Sequence, residues 1–260
     1  MYRKRQSEII KYLSDVKAAK IEQLAEIFQV SIETIRRDLM ELEKDAVVKR
    51  VWGGVVYNNL RAREWAYEKR MEDSAKEKQA IAKLVSDYIK DGEAIAMNNG
   101  TANLELAKVL VMERESLTIV TNSPQIAVIL NENESHRVFM TAGYLRKHNK
   151  SLVGSLCRES LDNFKVDKAI LSIDGVSIEH GITEYNTEEA ATIRKMMEIG
   201  HTKMLLCEYS KFNEVALNKI CLAEEIDYIF TDWNITSKEI KIWGDMEVKV
   251  LVAPNIYHEI

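Results

Sequence analysis

Residues 31–39 read Ser31-Ile32-Glu33-Thr34-Ile35-Arg36-Arg37-Asp38-Leu39. Ile32, Ile35, Leu39 and Leu42 recur at helical spacing, so one face is apolar and Thr34, Arg36 and Arg37 fall outside it. Ser31 carries the side-chain oxygen of a good N-cap, and Glu33 sits in the first turn, where the helix dipole favours an acid. Just upstream, KIEQLAEIFQ sets Ile21, Leu24, Ala25 and Phe28 at the same spacing, and Val30-Ser31 separates the two segments. The stretch 21–39 therefore predicts helix, tight turn, helix. That arrangement suits a helix-turn-helix whose second helix enters the DNA major groove.

On the N-terminal side, Ile9, Ile10, Leu13 and Val16 predict a helix over 3–16. On the other side, VVKRVWGGVVY places apolar runs around Gly53-Gly54, a hairpin signal. A hairpin behind a helix-turn-helix is a wing, in which Arg50 is placed to reach a phosphate or the minor groove. Pattern alone fits a small helical subdomain with a solvated arginine pair as well as it fits a DNA reader. The residues themselves narrow the choice. Arg5, Ile9 and Leu13, a gap of 17 residues, then Ser31-x-x-Thr34-Ile35-Arg36-Arg37-Asp38-Leu39 resemble the N-terminal signature of the DeoR family of bacterial transcription regulators.

That resemblance implies a double-stranded DNA operator as partner, with Ser31, Thr34, Arg36, Arg37 and Arg50 as the DNA-binding set. Asp38 is expected to orient an arginine, because an acid facing phosphate is repelled. The family's wing usually reads Arg-x-His-Gly-Gly; here it is Arg50-Val51-Trp52-Gly53-Gly54, so an indole stands where the imidazole is common.

Charge follows the same division. Residues 1–57 carry 11 Lys/Arg against 9 Asp/Glu, a net of +2, and residues 58–260 carry 25 against 32, a net of −7, within the whole-chain −5. Only the head is suited to a polyanion. At 46% hydrophobic and 30% charged, the 260 residues have globular composition, which excludes a disordered chain. No apolar run approaches the ~18–20 residues of a membrane span. MYRKRQSEII lacks an apolar signal core, and the expected location is cytoplasmic with no membrane partner. Three cysteines, none in a Cys-x-x-Cys spacing, argue against a disulfide framework and a structural zinc.

From residue 93 short apolar runs (AIAM, LTIV, RVFM, KAILSI, KMLL, YIF) alternate with helical stretches at 103–111, 124–131, 155–164 and 186–199. This predicts an α/β domain with a mostly parallel open sheet, in which ligands bind beyond the carboxyl ends of the strands. Several polar motifs fall there. Asn98-Asn99-Gly100-Thr101-Ala102 opens a helix, whose free N–H groups suit a phosphate. Thr121-Asn122-Ser123 precedes Pro124, with Ser123 as an ordinary cap. Ser172-Ile173-Asp174-Gly175 and Tyr209-Ser210-Lys211-Phe212 each follow a strand.

These strings also resemble the DeoR family, whose sensor domain is similar in fold to ribose-5-phosphate isomerase. The family commonly has Asp-x-Gly-Thr-Thr at the first turn and Asp-Ser-Ser-Lys-Phe at the later one. This chain has Asn98 and Ala102 in the first, and Glu208-Tyr209-Ser210-Lys211-Phe212 for the second. Thr121-Asn122-Ser123, Gly143-x-x-Arg146 and Asp174-Gly175-Val176 match the usual pattern, so the resemblance runs from residue 3 to about 232. It implies a phosphorylated sugar effector, with Gly100, Thr101 and Lys211 on the phosphate, and Asp174, Asn122 and Arg146 on the sugar end. Asn99 completes the expected effector set. No cofactor, metal ligand or catalytic residue is expected.

The organisation expected is a winged helix-turn-helix domain over 1–57, a helical connector over 58–92 ended by Gly92, and the α/β sensor over 93–260. One helix-turn-helix makes few contacts, so a homo-oligomer, dimer or tetramer, is expected on a repeated site. The rival reading is an isomerase-like enzyme with an added helical head. The Gly-rich loop that accompanies isomerase chemistry is absent from 176–183, although Glu179, His180 and Glu184 are groups capable of acid–base work.

Overall fold

A computed structural model of the 260-residue chain describes residues 4–44, 47–51, 53–57, 73–147, 149–255 and 257. The chain divides into two compact units, Met1–Ala66 and Tyr67–Ile260.

The first unit contains α1 (Lys4–Val16), β1 (Ala18–Lys20), α2 (Ile21–Ile27), α3 (Ile32–Lys44), β2 (Val48–Val51) and β3 (Gly54–Tyr57). Its core gathers Ile9 and Leu13 of α1, Leu24 of α2, and Ile35, Leu39 and Leu42 of α3 against Val48 and Val55 of the hairpin. Val16 and Ile32, expected in the apolar faces, are exposed. Each is the terminal residue of its helix, where the apolar stripe has run past the core. β2 and β3 form the expected hairpin, and Gly53 turns it with φ +74, a left-handed conformation that strains other residues. β1 was not legible in Ala18-Ala19-Lys20, which is too short to alternate; it pairs antiparallel with β3 to give a sheet in the order β1-β3-β2. Trp52 lies outside the described residues.

The second unit runs α4 (Ala75–Ser86), β4 (Ala94–Met97), α5 (Thr101–Glu113), β5 (Thr118–Thr121), α6 (Pro124–Leu130) and β6 (Arg137–Met140). Then come β7 (Tyr144–Leu145), β8 (Leu152–Val153), α7 (Ser155–Leu161), β9 (Val166–Ser172), β10 (Gly175–Ser177), β11 (Gly181–Glu184), α8 (Thr187–Ile199) and β12 (Gly200–Leu206). It continues through a 3-10 turn at Tyr209–Lys211 to β13 (Asn218–Cys221), β14 (Tyr228–Thr231), α9 (Ser237–Gly244) and β15 (Lys249–Val252). Seven parallel strands form an open sheet in the order β15-β14-β12-β9-β4-β5-β6.

Strand periodicity of two sorts the core into two layers. Ile95, Met97, Ile119, Ile170, Met204 and Phe230 face α4, α5 and α6. Ala96, Val120, Ala169, Leu171, Leu205 and Ile229 face the layer of α8 and α9, with Ile193, Met196 and Trp243. Of the stretch expected as a connector, 58–72 lies outside the described residues. Its helix α4 buries Ile81, Ala82 and Val85 in the first layer and ends at Ser86, ahead of Gly92. Cys157, Cys207 and Cys221 are free and buried, and burial raises each thiol.

Chain order reverses between β4 and β9: β5 and β6 follow on one side, β12, β14 and β15 on the other. At that point the side chain of Asn98 continues the ladder. Its Nδ2 donates to Ser172 O at 2.8 Å and its Oδ1 accepts from Ser172 N at 2.8 Å. Asn103 of α5 donates to Asn98 O at 2.9 Å and Ile170 O at 3.0 Å. A carboxylate at 98 keeps the acceptor and loses the donor, setting a charged oxygen against the half-buried Ser172 O. Asn98→Asp should therefore lower stability by about 1–3 kcal/mol, read as a fall in the calorimetric midpoint of the full chain; an unchanged midpoint would contradict the brace.

Candidate functional site

Ligands of open α/β sheets bind outside the carboxyl ends of the strands where the order reverses. A cleft lies there, lined by Asn99, Gly100 and Thr101 after β4, Ser172, Ile173 and Asp174 after β9, Glu208 and Lys211 after β12, Glu184 at the end of β11, and Asn149. It encloses about 30 Å³, more than the ~10–15 Å³ that one water requires.

The turn after β4 is tight because Gly100 has no side chain: a Cβ there would collide with Ser172. Gly100 caps α5 with no side-chain hydrogen bond, so the first N–H groups of a 13-residue helix stay available to an anion. Asn99 is fixed from two directions. Its backbone N–H donates to Asn122 Oδ1 at 2.8 Å, and its Oδ1 accepts from Ser123 Oγ at 2.8 Å. Its Nδ2 donates to Asn149 O at 2.9 Å, joining the β4–α5 turn to the loop between β7 and β8.

Lys211 Nζ stands 3.9 Å from Asp174 Oδ1, with side chains 18% and 12% exposed. Burial, and then the neighbouring Asp174 carboxyl, push Glu184 well above the ordinary carboxylate range. Glu184 Oε1 also accepts from Asn186 N at 3.2 Å.

The structure brings Asn99, Gly100, Thr101, Asp174 and Lys211 together and keeps two expected residues out of the cleft. Asn122 is fully buried, its amide divided between Asn99 N and Leu152 O at 3.0 Å, so it braces the site from behind. Arg146 is buried against Glu189, Nη1 to Oε1 at 2.8 Å. Asn149, Ser172, Ile173, Glu184 and Glu208 line the cleft without having been singled out as effector ligands. Ser172, Ile173 and Glu208 stood inside the strand-end strings; Glu184 stood out only as an acid; Asn149 carried no signal, being a loop residue.

In the first unit α3 presents Arg36 and Arg37 to solvent. Arg36 Nη1 lies 3.8 Å from Glu33, an exposed pair of little strength. Ser31 Oγ accepts from Thr34 N at 3.2 Å, the expected cap, and meets Thr34 Oγ1 at 2.8 Å. Arg50 is held at two points by Glu43, N–H to Oε1 at 2.8 Å and Nε to Oε2 at 2.6 Å, and the hydrogen bond from the Arg50 backbone is the main reason the Glu43 carboxyl titrates low. The buried Asp38 carboxylate accepts from Arg5 Nε at 2.6 Å, so the arginine it orients is on α1.

Two family descriptions cover these two units. A DeoR-like helix-turn-helix domain matches residues 5–61, and a DeoR C-terminal sensor domain matches residues 73–233. The chain belongs to the DeoR family. It is 30% identical to the uncharacterized HTH-type transcriptional regulator YulB of Bacillus subtilis, over 96% of each chain. It is also 30% identical to the HTH-type transcriptional repressor GlcR of the same organism, over 86% of each. A putative aga operon transcriptional repressor of Escherichia coli is 29% identical over 96% of this chain and 93% of its own. These relatives are transcription regulators, not enzymes. Among solved structures, a D-ribose-5-phosphate isomerase in complex with phospho-erythronic acid is similar at TM-score 0.40 and 16% identity, over 52% of each chain. A probable sor operon regulator from Shigella flexneri is similar at TM-score 0.40 and 12% identity, over 66% of this chain and 89% of that one. The DeoR-family chain is thus a DNA-binding regulator with a sensor domain, and no helix among its described residues is long and apolar enough to cross a membrane.

Glu184 gives a pH signature. Its carboxyl titrates higher folded than unfolded, so its contribution to stability is complete below the unfolded value of about 4.3 and is lost as pH rises through the folded value. Calorimetry across that window should show stability falling with pH, with Glu184→Gln removing part of the fall. A variant curve parallel to wild type throughout would contradict a buried, proton-holding carboxyl.

Proposed function

We propose that the protein is a cytoplasmic repressor of a carbohydrate-utilisation operon, gated by a phosphorylated sugar and working as a homo-oligomer. The observation that carries the effector reading is the cleft where the α5 N-terminus, opened by Gly100-Thr101, meets Lys211. Backbone N–H groups and an ammonium suit a phosphate dianion better than a neutral ring. The repressors among the relatives, one of them of an aga operon, support the regulatory half. Asn149 closes one edge of this cleft, its carbonyl accepting from the Asn99 amide.

Moving a two-state equilibrium from about 1:99 to 99:1 takes about 5.5 kcal/mol of differential binding, or half of that from each of two sites in a dimer. Charge-assisted hydrogen bonds of about 1.5–3 kcal/mol each supply this if a few strengthen in one state. In fluorescence anisotropy with operator DNA, a sugar phosphate should shift operator affinity and its unphosphorylated parent should not. Lys211→Ala should abolish the response and leave operator binding intact. A free sugar acting as well as its phosphate, or a normal response from Lys211→Ala, would overturn the effector site.

On the DNA side, Thr34, Arg36 and Arg37 are the reading residues of α3, and Glu43 holds Arg50 by N–H and Nε, leaving its other guanidinium N–H groups for the backbone of the duplex. A guanine read bidentately by Arg36 or Arg37 is worth about 1–3 kcal/mol, and its loss relaxes one base pair per half-site. An arginine that holds only a DNA phosphate instead lowers affinity evenly when removed and reduces the salt slope by about 1. The double variant Arg36→Ala, Arg37→Ala should show one or the other; full operator affinity would remove α3 from the interface.

A further inference from the structure

β6 closes the seven-stranded sheet on one side and, among the described residues, is paired with β5 alone. Arg137 N donates to Leu117 O at 2.8 Å and Thr141 N to Thr121 O at 2.9 Å, so the odd-numbered residues bond to β5. In such a ladder the alternate residues turn their N–H and C=O the other way, and those of Val138 and Met140 point out from the edge. Exposed edges are ordinarily blunted by lysine, proline or a bulge. β15, at the opposite edge, begins with Lys249; β6 reads Arg-Val-Phe-Met and pairs with β5 in continuous register. Apolar side chains gather beside it. Met140, Tyr144, Leu145 and Leu156 are each more than half exposed, and Phe139 is 38% exposed. Tyr144 lies against Gly154 at the start of α7, and Ala142 N donates to Ser160 Oγ at 3.3 Å, so the chain leaving β6 runs along α7. Outward backbone groups flanked by exposed apolar side chains make a template for another strand.

We propose that β6 is the pairing edge of a two-fold dimer, in which β6 of a second copy lies antiparallel to it and the two sheets become one. This rests on the homo-oligomer reading above and gives that oligomer its surface. β6 is complementary to itself. With the two-fold axis at Phe139, Val138 stands opposite the partner's Met140, each outward N–H meets the other's carbonyl, and the symmetry repeats the pair. Phe139 then faces the partner's Phe139 in a non-hydrogen-bonded pair, where Cα atoms are about 4.5 Å apart and side chains touch. Charge agrees with this register. The Arg137 guanidinium lies over the Phe139 ring at 5.8 Å, and that ring packs on Phe164, just past α7, at 5.3 Å between centroids. Arg137 is thus on the α7 face. The pairing sets it beside the partner's Thr141, next to which Ala142 is bonded to Ser160 of α7, and the adjoining residue there is the exposed acid Glu159. The two Arg137 side chains fall at opposite ends of the pair, away from each other.

The test is made on the full chain. Phe139→Cys is oxidised with copper-phenanthroline and run on a non-reducing gel, with Leu217→Cys, at an exposed apolar residue before β13, as its comparison. The three native cysteines are free and buried. Cysteines facing each other across the axis fall within the Cα separation that a disulfide bridges, so Phe139→Cys should give a covalent dimer about tenfold or more faster than Leu217→Cys. In sedimentation velocity at micromolar concentration the wild type should be an oligomer. Met140→Pro removes an outward N–H and spares the bonds to β5, so it should lower the assembly by a step, from dimer to monomer or from tetramer to dimer. Phe139→Lys sets like charges opposite each other and carries the same expectation should Met140→Pro melt below wild type. Crosslinking no faster than in Leu217→Cys, or both variants assembling as an oligomeric wild type does, would overturn this surface and leave the homo-oligomer reading standing. A monomeric wild type would overturn both.

Discussion

The side-chain amide of Asn98, paired both ways with the backbone of Ser172, is the constraint from which the sensor unit is built outward. β4 and β9 are neighbours in the sheet, but the chain leaves them in different directions. After β4 it enters α5 in one layer; after β9 it enters the β10–β11 hairpin and then α8 in the other. The backbone ladder between them stops at Met97 and Ile170. Without a further bond the two strand ends would separate into a polar gap with unpaired groups, a costly arrangement. Asn98 extends the pairing by one residue, Asn103 ties α5 to the same place, and Gly100 lets the turn close against Ser172. The cleft begins where this bracing ends.

Much of this was legible because the signals are local. Helical spacing in 3–16, 21–28 and 32–42 and the Gly53-Gly54 turn give the first unit, and bounded apolar runs give six of the seven parallel strands. β15 went unread because Lys249–Val252 shows no alternation of its own and is partnered only by β14. The strand-end strings led to Asn99, Gly100, Thr101, Asp174 and Lys211, since an open sheet brings its carboxyl ends together. Asn122 and Arg146, expected on the sugar end, do not line the cleft, for a reason that sequence does not show. Both sit on the correct side of the sheet, but each points to a buried partner: Asn122 to Asn99 and Leu152, Arg146 to Glu189. Glu184 reaches the cleft through strand pairing with β10 and β13, a relation over many residues that no local pattern encodes.

The departures from the family's usual strings take on physical meaning in the same frame. Asn98, where a carboxylate is common, donates to Ser172 O and Asn99 O, which a carboxylate cannot do, and it faces inward. Its effect is on the frame of the site rather than on ligand charge. Ala102 is buried in the α5 layer, so the hydroxyl missing there is replaced by packing. In the first unit, Asp38 and Glu43 each hold an arginine, Arg5 and Arg50, and acids within a DNA-reading surface thereby fix the cations around them.

Effector binding at the reversal point between β4 and β9, against the braced turn, can be read by amide hydrogen exchange of the full chain with and without a saturating sugar phosphate. Slowed exchange is expected at three separated stretches together: the turn at 99–103, the end of β9 at 172–174 and the 3-10 turn at 209–211. Exchange in the loop around Asn149 should change with them. Binding accompanied by protection elsewhere in the chain, and none at these three strand ends, would place the effector somewhere other than this cleft.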